Sequence, residues 1–214
     1  MNTLKIIERA AKEVREGQVI NLGIGLPTQI ISHLPDNMNV MIHTENGLLG
    51  AWKKANVSNL DPNLIDAGGN YITLKPGASF FDSAVSFAII RRSRLDASFM
   101  GAFEVDAFGN LANWKIPGKF SPGIGGAMEL AQKTDKVIVL CNHTDKAGKP
   151  KIKQNCSLPI TGERCVSRII TDMAVIDVEA EGLVLREIAE GLEVEDLLSV
   201  TEPPLKIPDV LIRF

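Results

Sequence analysis

The chain has 214 residues, of which 45% are hydrophobic, which is enough for one α/β domain with a sizeable core, expected over residues 1–214. Its formal net charge of −3, without a basic cluster, argues against a nucleic-acid partner. No stretch approaches the ~20 apolar residues of a membrane span, and the charged, amphipathic N-terminus differs from a signal peptide, so no membrane association is predicted.

The first fifty residues alternate between predicted helices and strands. Apolar residues at helical spacing over 4–14 predict a helix that stops at Gly17. A strand over 18–22, a glycine turn over 23–27 and a short helix over 28–33 follow, with Pro27 suited to the first helical turn. A second apolar strand, over 40–42, then leads to Glu45. This order predicts a βαβ unit with parallel strands.

The region over 51–75 is less regular, with loops expected at 56–63 and 67–70. A helix is predicted over 82–92 with Asp82 near its cap, then a strand over 95–105 and a hairpin-like turn over 107–110. Further on, the pattern predicts a helix over 127–132, a buried strand over 137–140 and more sheet over 169–178. A hairpin return over 182–188 and a short helix over 193–199 complete an α/β fold.

Three cysteines, Cys141, Cys156 and Cys165, form no close pair, and their odd number indicates a reducing compartment and a cytoplasmic protein. Cys141 ends an apolar run and is interpreted as a small buried hydrophobe, with a catalytic thiol as the less favoured alternative. The three histidines show no ligand spacing with the cysteines, so no metal site is predicted.

A lone carboxylate at a strand end is the most informative feature of the sequence. Glu45 follows the apolar strand directly, and Asn46 and Gly47, a strong turn pair, follow Glu45. Ligands of open α/β sheets bind at the carboxyl ends of the strands, where a glutamate can serve as nucleophile, base or metal ligand. No second acid lies at a glycosidase-like spacing, which favours a nucleophile, although most glutamates simply lie on solvated surfaces.

The glycine turn that contains Gly23 and Gly25 resembles the start of a dinucleotide fingerprint, but the third glycine is missing. It is interpreted either as a tight strand-to-helix turn or as a helix start whose backbone N–H groups face a ligand. Asn21 precedes this turn, and its side-chain amide is a candidate donor to a developing oxyanion.

A second glycine cluster contains Gly123, Gly125 and Gly126. Its exposed main chain is suited to cradling an anion or to lying against a bulky thioester. No Gly-Lys-Ser/Thr sequence ends the cluster, so it is not a Walker loop. A long mobile loop without a binding role is the alternative interpretation.

Six ordered segments resemble the B (β) subunit of family I coenzyme A transferases, the 3-oxoacid CoA-transferases, and the resemblance spans from about residue 9 to about residue 187. The segments are NLGIGLP at 21–27, ENG at 45–47, FDSAVSF at 81–87, NLANWKIPG at 110–118, GIGGAM at 123–128 and CSLPIT at 156–161. The resemblance implies an α/β fold with an open, mostly parallel sheet and helices on both faces.

The same resemblance implies roles for individual residues. The glutamate of the ENG segment is the family's nucleophile, which corresponds to Glu45, and the family's active-site asparagine corresponds to Asn21. The remaining candidates would bind substrate or coenzyme A: Asn46, Gly47, Gly23, Gly25, Gly123, Gly125 and Gly126. Coenzyme A is then a substrate, with no metal and no separate cofactor. A separate chain, the family's A (α) subunit, is the implied partner, in a heterodimer or heterotetramer.

The chain departs from the family pattern beside the glutamate. His43-Thr44 replaces the usual Gln-Ser, and Ala51-Trp52 begins a segment that often reads Gly-Pro-Tyr-Pro. The acyl donor and the acceptor acid are therefore left open. Two other functions also remain: a sugar-phosphate isomerase that would use Lys115 and Lys119 for phosphate, and a non-catalytic effector-binding domain.

Overall fold

A mixed sheet of eleven strands organises the chain, whose computed structural model describes residues 3–121 and 123–214. The helices are α1 (Thr3–Ala11), the 3-10 helix η1 (Pro27–His33), α2 (Ser83–Arg91), α3 (Ala127–Lys133) and α4 (Val194–Ser199). The strands are β1 (Val19–Leu22), β2 (Met41–Thr44), β3 (Leu48–Lys54), β4 (Ile72–Phe80), β5 (Ala97–Gly101), β6 (Glu104–Asp106), β7 (Leu111–Ala112), β8 (Val137–Leu140), β9 (Ile152–Lys153), β10 (Val166–Ile170), β11 (Ala174–Glu179), β12 (Gly182–Ile188), β13 (Leu205–Lys206) and β14 (Ile212–Arg213).

The centre of the large sheet is parallel. Its strand order is β13-β12-β11-β10-β8-β5-β1-β2-β3-β4, and β14 also pairs with β12. The run from β2 through β1, β5 and β8 to β10 is parallel, whereas β3 and β4 on one side and β11 and β12 on the other are antiparallel. Strands β7, β6 and β9 form a separate small sheet. The predicted α/β fold with an open sheet is confirmed, with antiparallel strands on both flanks.

Both faces of the sheet are covered, because strand side chains alternate between two apolar clusters. On β8, Val139 packs in the cluster that contains Ile90 of α2, whereas Ile138 packs in the cluster that contains Ile6 of α1. These four side chains are fully buried. Burying each contributes roughly 1.5–3 kcal/mol relative to exposure. No helix among the described residues has the length and apolar character needed to cross a membrane.

Several predicted elements have different limits in the structure. The first helix ends at Ala11, and the helix predicted over 28–33 is a 3-10 helix. The strand predicted over 95–105 is two strands, because β5 pairs with β8 whereas β6 leaves the large sheet to pair with β9. The sheet over 169–178 is the antiparallel pair β10 and β11. The region expected to be irregular contains the antiparallel strands β3 and β4.

Buried ion pairs attach the chain just after α1 to the sheet. Glu13, which is 7% exposed, accepts hydrogen bonds from Arg9 at 2.9 Å, Lys136 at 2.9 Å and Arg168 at 2.5 Å. Burial opposes ionisation of this carboxyl, but the Lys136 ammonium and the Arg168 guanidinium outweigh it and lower the pKa of Glu13 to about 2. This side chain is therefore an anion that three cations surround.

Candidate active site

A cavity of about 960 Å³ lies at the carboxyl ends of the parallel strands. The first residue after each of four strands lines it: Gly23 after β1, Glu45 after β2, Ala102 after β5 and Cys141 after β8. This is the edge at which open α/β sheets bind ligands. The topology therefore brings the predicted nucleophile to the expected ligand-binding edge.

A tight turn presents Glu45 to this cavity. The backbone N–H of Gly47 donates to the carbonyl of Thr44 at 3.1 Å, which closes the turn around the glutamate. Gly47 has a φ of +114°, and a Cβ at this position would lie 2.1 Å from the carbonyl oxygen of Phe81. Only glycine fits this backbone. The Asn-Gly pair therefore determines where β2 ends and places Glu45 in the turn that follows it.

The second glycine cluster lies directly against the Glu45 carboxylate. A Cβ added to Gly126 would lie 2.3 Å from Oε2 of Glu45 and 3.0 Å from Cζ of Phe87. A Cβ on Gly125 would lie 3.9 Å from Oε1 of Glu45. Gly123 and Gly125 also have positive φ values, +118° and +56°. The carboxylate therefore rests on bare main chain, where a side chain would displace it.

The environment of Glu45 disfavours its charge. Burial raises the pKa of the Glu45 carboxyl above its ordinary value, the backbone N–H of Gly126 partly offsets this, and the nearby Glu129 carboxylate adds to the increase. A carboxylate with a reduced hydration shell is a stronger nucleophile than one in water. Glu45 is only partly buried, so its carboxylate remains able to reach a ligand in the cavity.

A buried polar chain lies behind Glu45. Asn21, which is 4% exposed, donates from Nδ2 to the carbonyl of His43 at 3.1 Å, and the same nitrogen lies 3.5 Å from Nδ1 of His43. Nε2 of His43 lies 2.9 Å from Oγ of Ser86, and that hydroxyl lies 3.5 Å from the carbonyl of Thr44. These hydrogen-bonded groups thus connect Asn21 to Thr44, the residue immediately before Glu45.

His43 is neutral in this environment. Burial lowers the pKa of its imidazole to about 4. Because the amide nitrogen of Asn21 faces Nδ1, that ring nitrogen is the acceptor and the proton resides on Nε2, which donates to Ser86. The ring also stacks on Phe81, with centroids 6.2 Å apart. His43 is therefore held on both ring nitrogens and on one face.

The cavity brings six of the predicted site residues together: Asn21, Gly23, Glu45, Gly123, Gly125 and Gly126. The other three do not line it, namely Gly25, Asn46 and Gly47. Asn46 instead donates from its side chain to the carbonyl of Ile65 at 2.9 Å, and it supports the turn with Gly47. The binding roles of these residues stay predictions.

His43 and Ser86 were not predicted from the sequence as site residues. The one available signal was a histidine in an otherwise apolar strand, two residues before the glutamate. Ser86 lies in the FDSAVSF segment, but its contact with β2 depends on how helix α2 packs against the sheet. Neither partner of the ring could be identified from spacing along the chain.

Cys141 also lines the cavity, at the end of β8. It is 3% exposed, so the predicted buried cysteine is confirmed. Burial raises the pKa of its thiol, which keeps the sulfur protonated and makes it a poor nucleophile. Among residues 3–121 and 123–214, no three His, Cys, Asp or Glu side chains are grouped to hold a metal ion.

Comparisons with known proteins agree with the geometry. The family model described as coenzyme A transferase matches residues 3–199. The beta subunit of a probable coenzyme A transferase from Bacillus subtilis is 42% identical over 95% of this chain and 94% of its own length. The B subunit of a succinyl-CoA:3-ketoacid coenzyme A transferase from Helicobacter pylori is 45% identical over 94% of this chain and 97% of its own length.

The fold also matches a solved structure, the apoenzyme of an acyl-CoA transferase from Escherichia coli O157:H7. The TM-score is 0.78 at 24% identity, and the match covers 98% of this chain. This chain spans only 42% of the length of that Escherichia coli chain. At this identity the likeness shows the fold alone.

The chain belongs to the coenzyme A transferase family, and the enzyme class predicted from the sequence is confirmed. The match places it with these transferases rather than with the sugar-phosphate isomerases or the effector-binding domains that the residues had left open.

Proposed function

We propose that this chain is the B subunit of a coenzyme A transferase that moves coenzyme A from an acyl-CoA to a free carboxylic acid, with Glu45 as the nucleophile. The observation that carries this proposal is the position of the Glu45 carboxylate, partly desolvated and pressed against bare glycine backbone inside the cavity. Coenzyme A is a substrate in this reaction.

The first half of the proposed reaction transfers coenzyme A from the donor acid to Glu45. A Glu45 oxygen attacks the thioester carbonyl, a C–O bond forms, and the negative charge moves to the carbonyl oxygen. The C–S bond then breaks, the thiolate of coenzyme A leaves, and Glu45 carries a mixed acyl anhydride. The thiolate next attacks the glutamyl carbonyl, the donor acid leaves as a carboxylate, and Glu45 carries coenzyme A as a thioester.

The second half reverses these steps with the acceptor acid. Its carboxylate attacks the glutamyl thioester, coenzyme A leaves as thiolate, and the thiolate attacks the acceptor's acyl carbonyl in the new anhydride. The products are the acceptor's acyl-CoA and the free Glu45 carboxylate. One thioester is consumed and one is formed, so the bond energy is conserved without a further energy source.

Several features of the site support these steps. Burial weakens hydration of the Glu45 carboxylate, and the absence of side chains at Gly125 and Gly126 lets the carboxylate lie directly against the main chain. Backbone N–H groups of this loop and the Asn21 amide are the candidate donors to the tetrahedral oxyanion. Loss of one such donor typically costs about 3–4 kcal/mol of barrier. Binding energy from the long coenzyme A tail can be used to stabilise the transition state.

A second chain, the A subunit, is part of the proposal. The relatives of similar length are named as subunits, and the larger Escherichia coli chain extends well beyond the matched part. Three apolar side chains that line the cavity are exposed in this chain, Ile24 at 67%, Phe103 at 36% and Phe120 at 94%. A partner that covers these side chains would also keep water from the glutamyl thioester.

The proposal specifies the acyl group only as that of a short carboxylic acid. The Helicobacter pylori relative is named for succinyl-CoA and a 3-ketoacid, whereas the name of the Bacillus subtilis relative gives no substrate. Acetoacetate, succinate, acetate and butyrate are the candidates. A panel of acyl-CoA donors against free acids, measured with the reconstituted pair, would identify the substrates.

Transfer assays on variants test the proposal. Glu45→Ala, co-expressed with the partner chain, is expected to lose transfer while keeping its fold. Glu129→Gln is the matched control, because Glu129 is a neighbouring acid that is paired with Arg91 at 2.8 Å, and it should retain transfer. The lone chain is expected to be inactive until the partner chain is added. Normal turnover by Glu45→Ala, or by the purified lone chain, would contradict the proposal.

A further inference from the structure

Two residues behind the nucleophile have no part in the reaction as proposed above. His43 and Ser86 are both fully buried, and neither is among the residues that line the cavity. They nevertheless connect the amide of Asn21 to the backbone of the turn that carries Glu45. Burying a polar ring in an apolar strand costs free energy unless both nitrogens are satisfied, and here both have partners.

The direction of each hydrogen bond follows from the chemistry. Nδ2 of Asn21 must face the carbonyl of His43, because the flipped amide would place two oxygens together at 3.1 Å. The amide nitrogen then faces Nδ1 of His43, which accepts, and Nε2 donates to Ser86. The hydroxyl hydrogen of Ser86 is left for the carbonyl of Thr44. All the hydrogen bonds in this network therefore run in one direction, from Asn21 to Thr44, and none of its side chains is charged.

We propose that His43 is a positioning residue, which holds the Asn21 amide on one side and the Glu45 turn on the other in the geometry that transfer requires. The proposal rests on the proposed function, in which Glu45 is the nucleophile and Asn21 an oxyanion donor. His43 itself touches neither carboxylate nor substrate.

The geometry explains how a ring behind the site controls it. The carbonyl of Thr44 accepts from Gly47 N–H at 3.1 Å and lies 3.5 Å from Oγ of Ser86, so the residue before Glu45 has a close contact on one side and a longer one on the other. The contact between Asn21 and Nδ1 is long at 3.5 Å, so this hydrogen bond orients the amide but is weak enough for its hydrogen to be shared with an oxyanion. Loss of the ring would remove one contact from the Asn21 amide and one from the Ser86 hydroxyl that faces the turn.

Three variants separate positioning from simple stability. His43→Phe keeps a planar ring that can stack on Phe81 but removes both ring nitrogens, whereas His43→Gln keeps one acceptor and one donor. His143→Phe is the matched control. His143 is also fully buried and bound through both nitrogens, to Thr171 at 3.0 Å and Thr201 at 2.9 Å, but it does not line the cavity.

The measurement is steady-state transfer by the reconstituted pair, normalised to folded protein, with mass spectrometry of coenzyme A bound at Glu45. His43→Phe is expected to lower kcat roughly 10- to 100-fold with KM changed less than about threefold, because a displacement of about 1 Å at a reacting group has this effect. His43→Gln should restore kcat to within about fivefold of wild type, since amide groups replace the ring's acceptor and donor. His143→Phe should lose thermal stability without a comparable loss of kcat.

Ser86→Ala is the smaller second perturbation, which applies if His43→Phe does not fold, and it is expected to lower kcat about 3- to 30-fold by breaking the same chain. Unchanged kcat in His43→Phe or, where that variant fails to fold, in Ser86→Ala would overturn the positioning role, and so would an equal loss of kcat in His143→Phe. Wild-type enzyme that turns over without coenzyme A on Glu45 would instead refute the proposed function.

Discussion

Replacing Gly126 by alanine tests how closely the glycine loop holds the nucleophile. The added Cβ would lie 2.3 Å from Oε2 and 3.0 Å from Cδ of Glu45. Cζ of Phe87, also 3.0 Å from the added Cβ, prevents residue 126 from moving toward Phe87 to relieve the clash. A carbon–oxygen contact needs about 3.3 Å or more, so the carboxylate must move by about 1 Å. A misplacement of this size costs about 10²-fold in rate.

The backbone of Gly126 gives the test its specificity. Its φ of −81° is accessible to alanine, so the substitution should strain the main chain little. Gly125→Ala is the matched variant in the same loop. That residue has a φ of +56°, which costs alanine about 1–2 kcal/mol, but its Cβ would stay 3.9 Å from the carboxylate. Gly126→Ala should therefore lower the rate of transfer, whereas Gly125→Ala should lower the stability of the fold.

The assay combines kcat of the reconstituted transferase with the melting temperature of each variant. Gly126→Ala is expected to lose about 10²-fold in kcat with nearly unchanged melting temperature. Gly125→Ala is expected to melt earlier and to lose less rate. Gly126→Ala with at least a third of the wild-type kcat would refute the close packing of this loop on Glu45.

Three further predictions concern other side chains. Asn21→Ala should slow transfer roughly 10²- to 10³-fold, less than Glu45→Ala; steady-state kcat measures this, and an unchanged kcat would show that the amide is not an oxyanion donor. Because the pKa of Glu45 is raised, the acid-side decrease of kcat/KM in a pH–rate profile should occur at a pH above the ordinary glutamate range. Glu129→Gln removes a neighbouring negative charge, so it should move this decrease to lower pH. A wild-type decrease at or below the ordinary glutamate range would be inconsistent with the raised pKa. Glu13→Gln should lower the free energy of unfolding by about 3 kcal/mol, because folding lowers the pKa of the Glu13 carboxyl from 4.5 to about 2. That contribution is fully present above pH ~4.5 and is lost as pH falls toward 2, so urea unfolding should show a large difference at pH 7 and little at pH 2; equal stability at pH 7 would be contrary to it.

Local signals predicted the position of Glu45 at the end of β2 well. The turn after β2 follows from Asn46 and Gly47, because the backbone there requires glycine, and β2 itself follows from an apolar run. The parallel centre of the sheet followed from the alternation of helix and strand. These features depend on neighbours along the chain, where propensity and spacing carry information.

Long-range contacts were less predictable. The two glycine clusters were equivalent in the sequence, yet Gly125 and Gly126 reach the Glu45 carboxylate, whereas Gly25 does not line the cavity. Which glycine meets the acid depends on how α3 packs beside α2. The pairing of His43 with Ser86 depends on how α2 packs against the sheet.

Strands outside the parallel centre were also hard to predict. The run of β3 starts directly after the Glu45 turn, and Gly50 within it has a φ of +94°, which obscures the strand pattern. Strand β4 is largely exposed along its second half, so its sequence lacks a buried apolar run. Pairing with β3 decides its conformation more than its own residues do.

The proposed function depends most directly on covalent capture of coenzyme A by Glu45. The reconstituted pair is mixed with acyl-CoA without acceptor acid, quenched within one turnover, and digested for mass spectrometry. Coenzyme A should be attached to the peptide that contains Glu45, and the adduct should disappear when the acceptor acid is added. Turnover at a normal rate with an unmodified residue 45, or with coenzyme A bound to another side chain, would contradict the account.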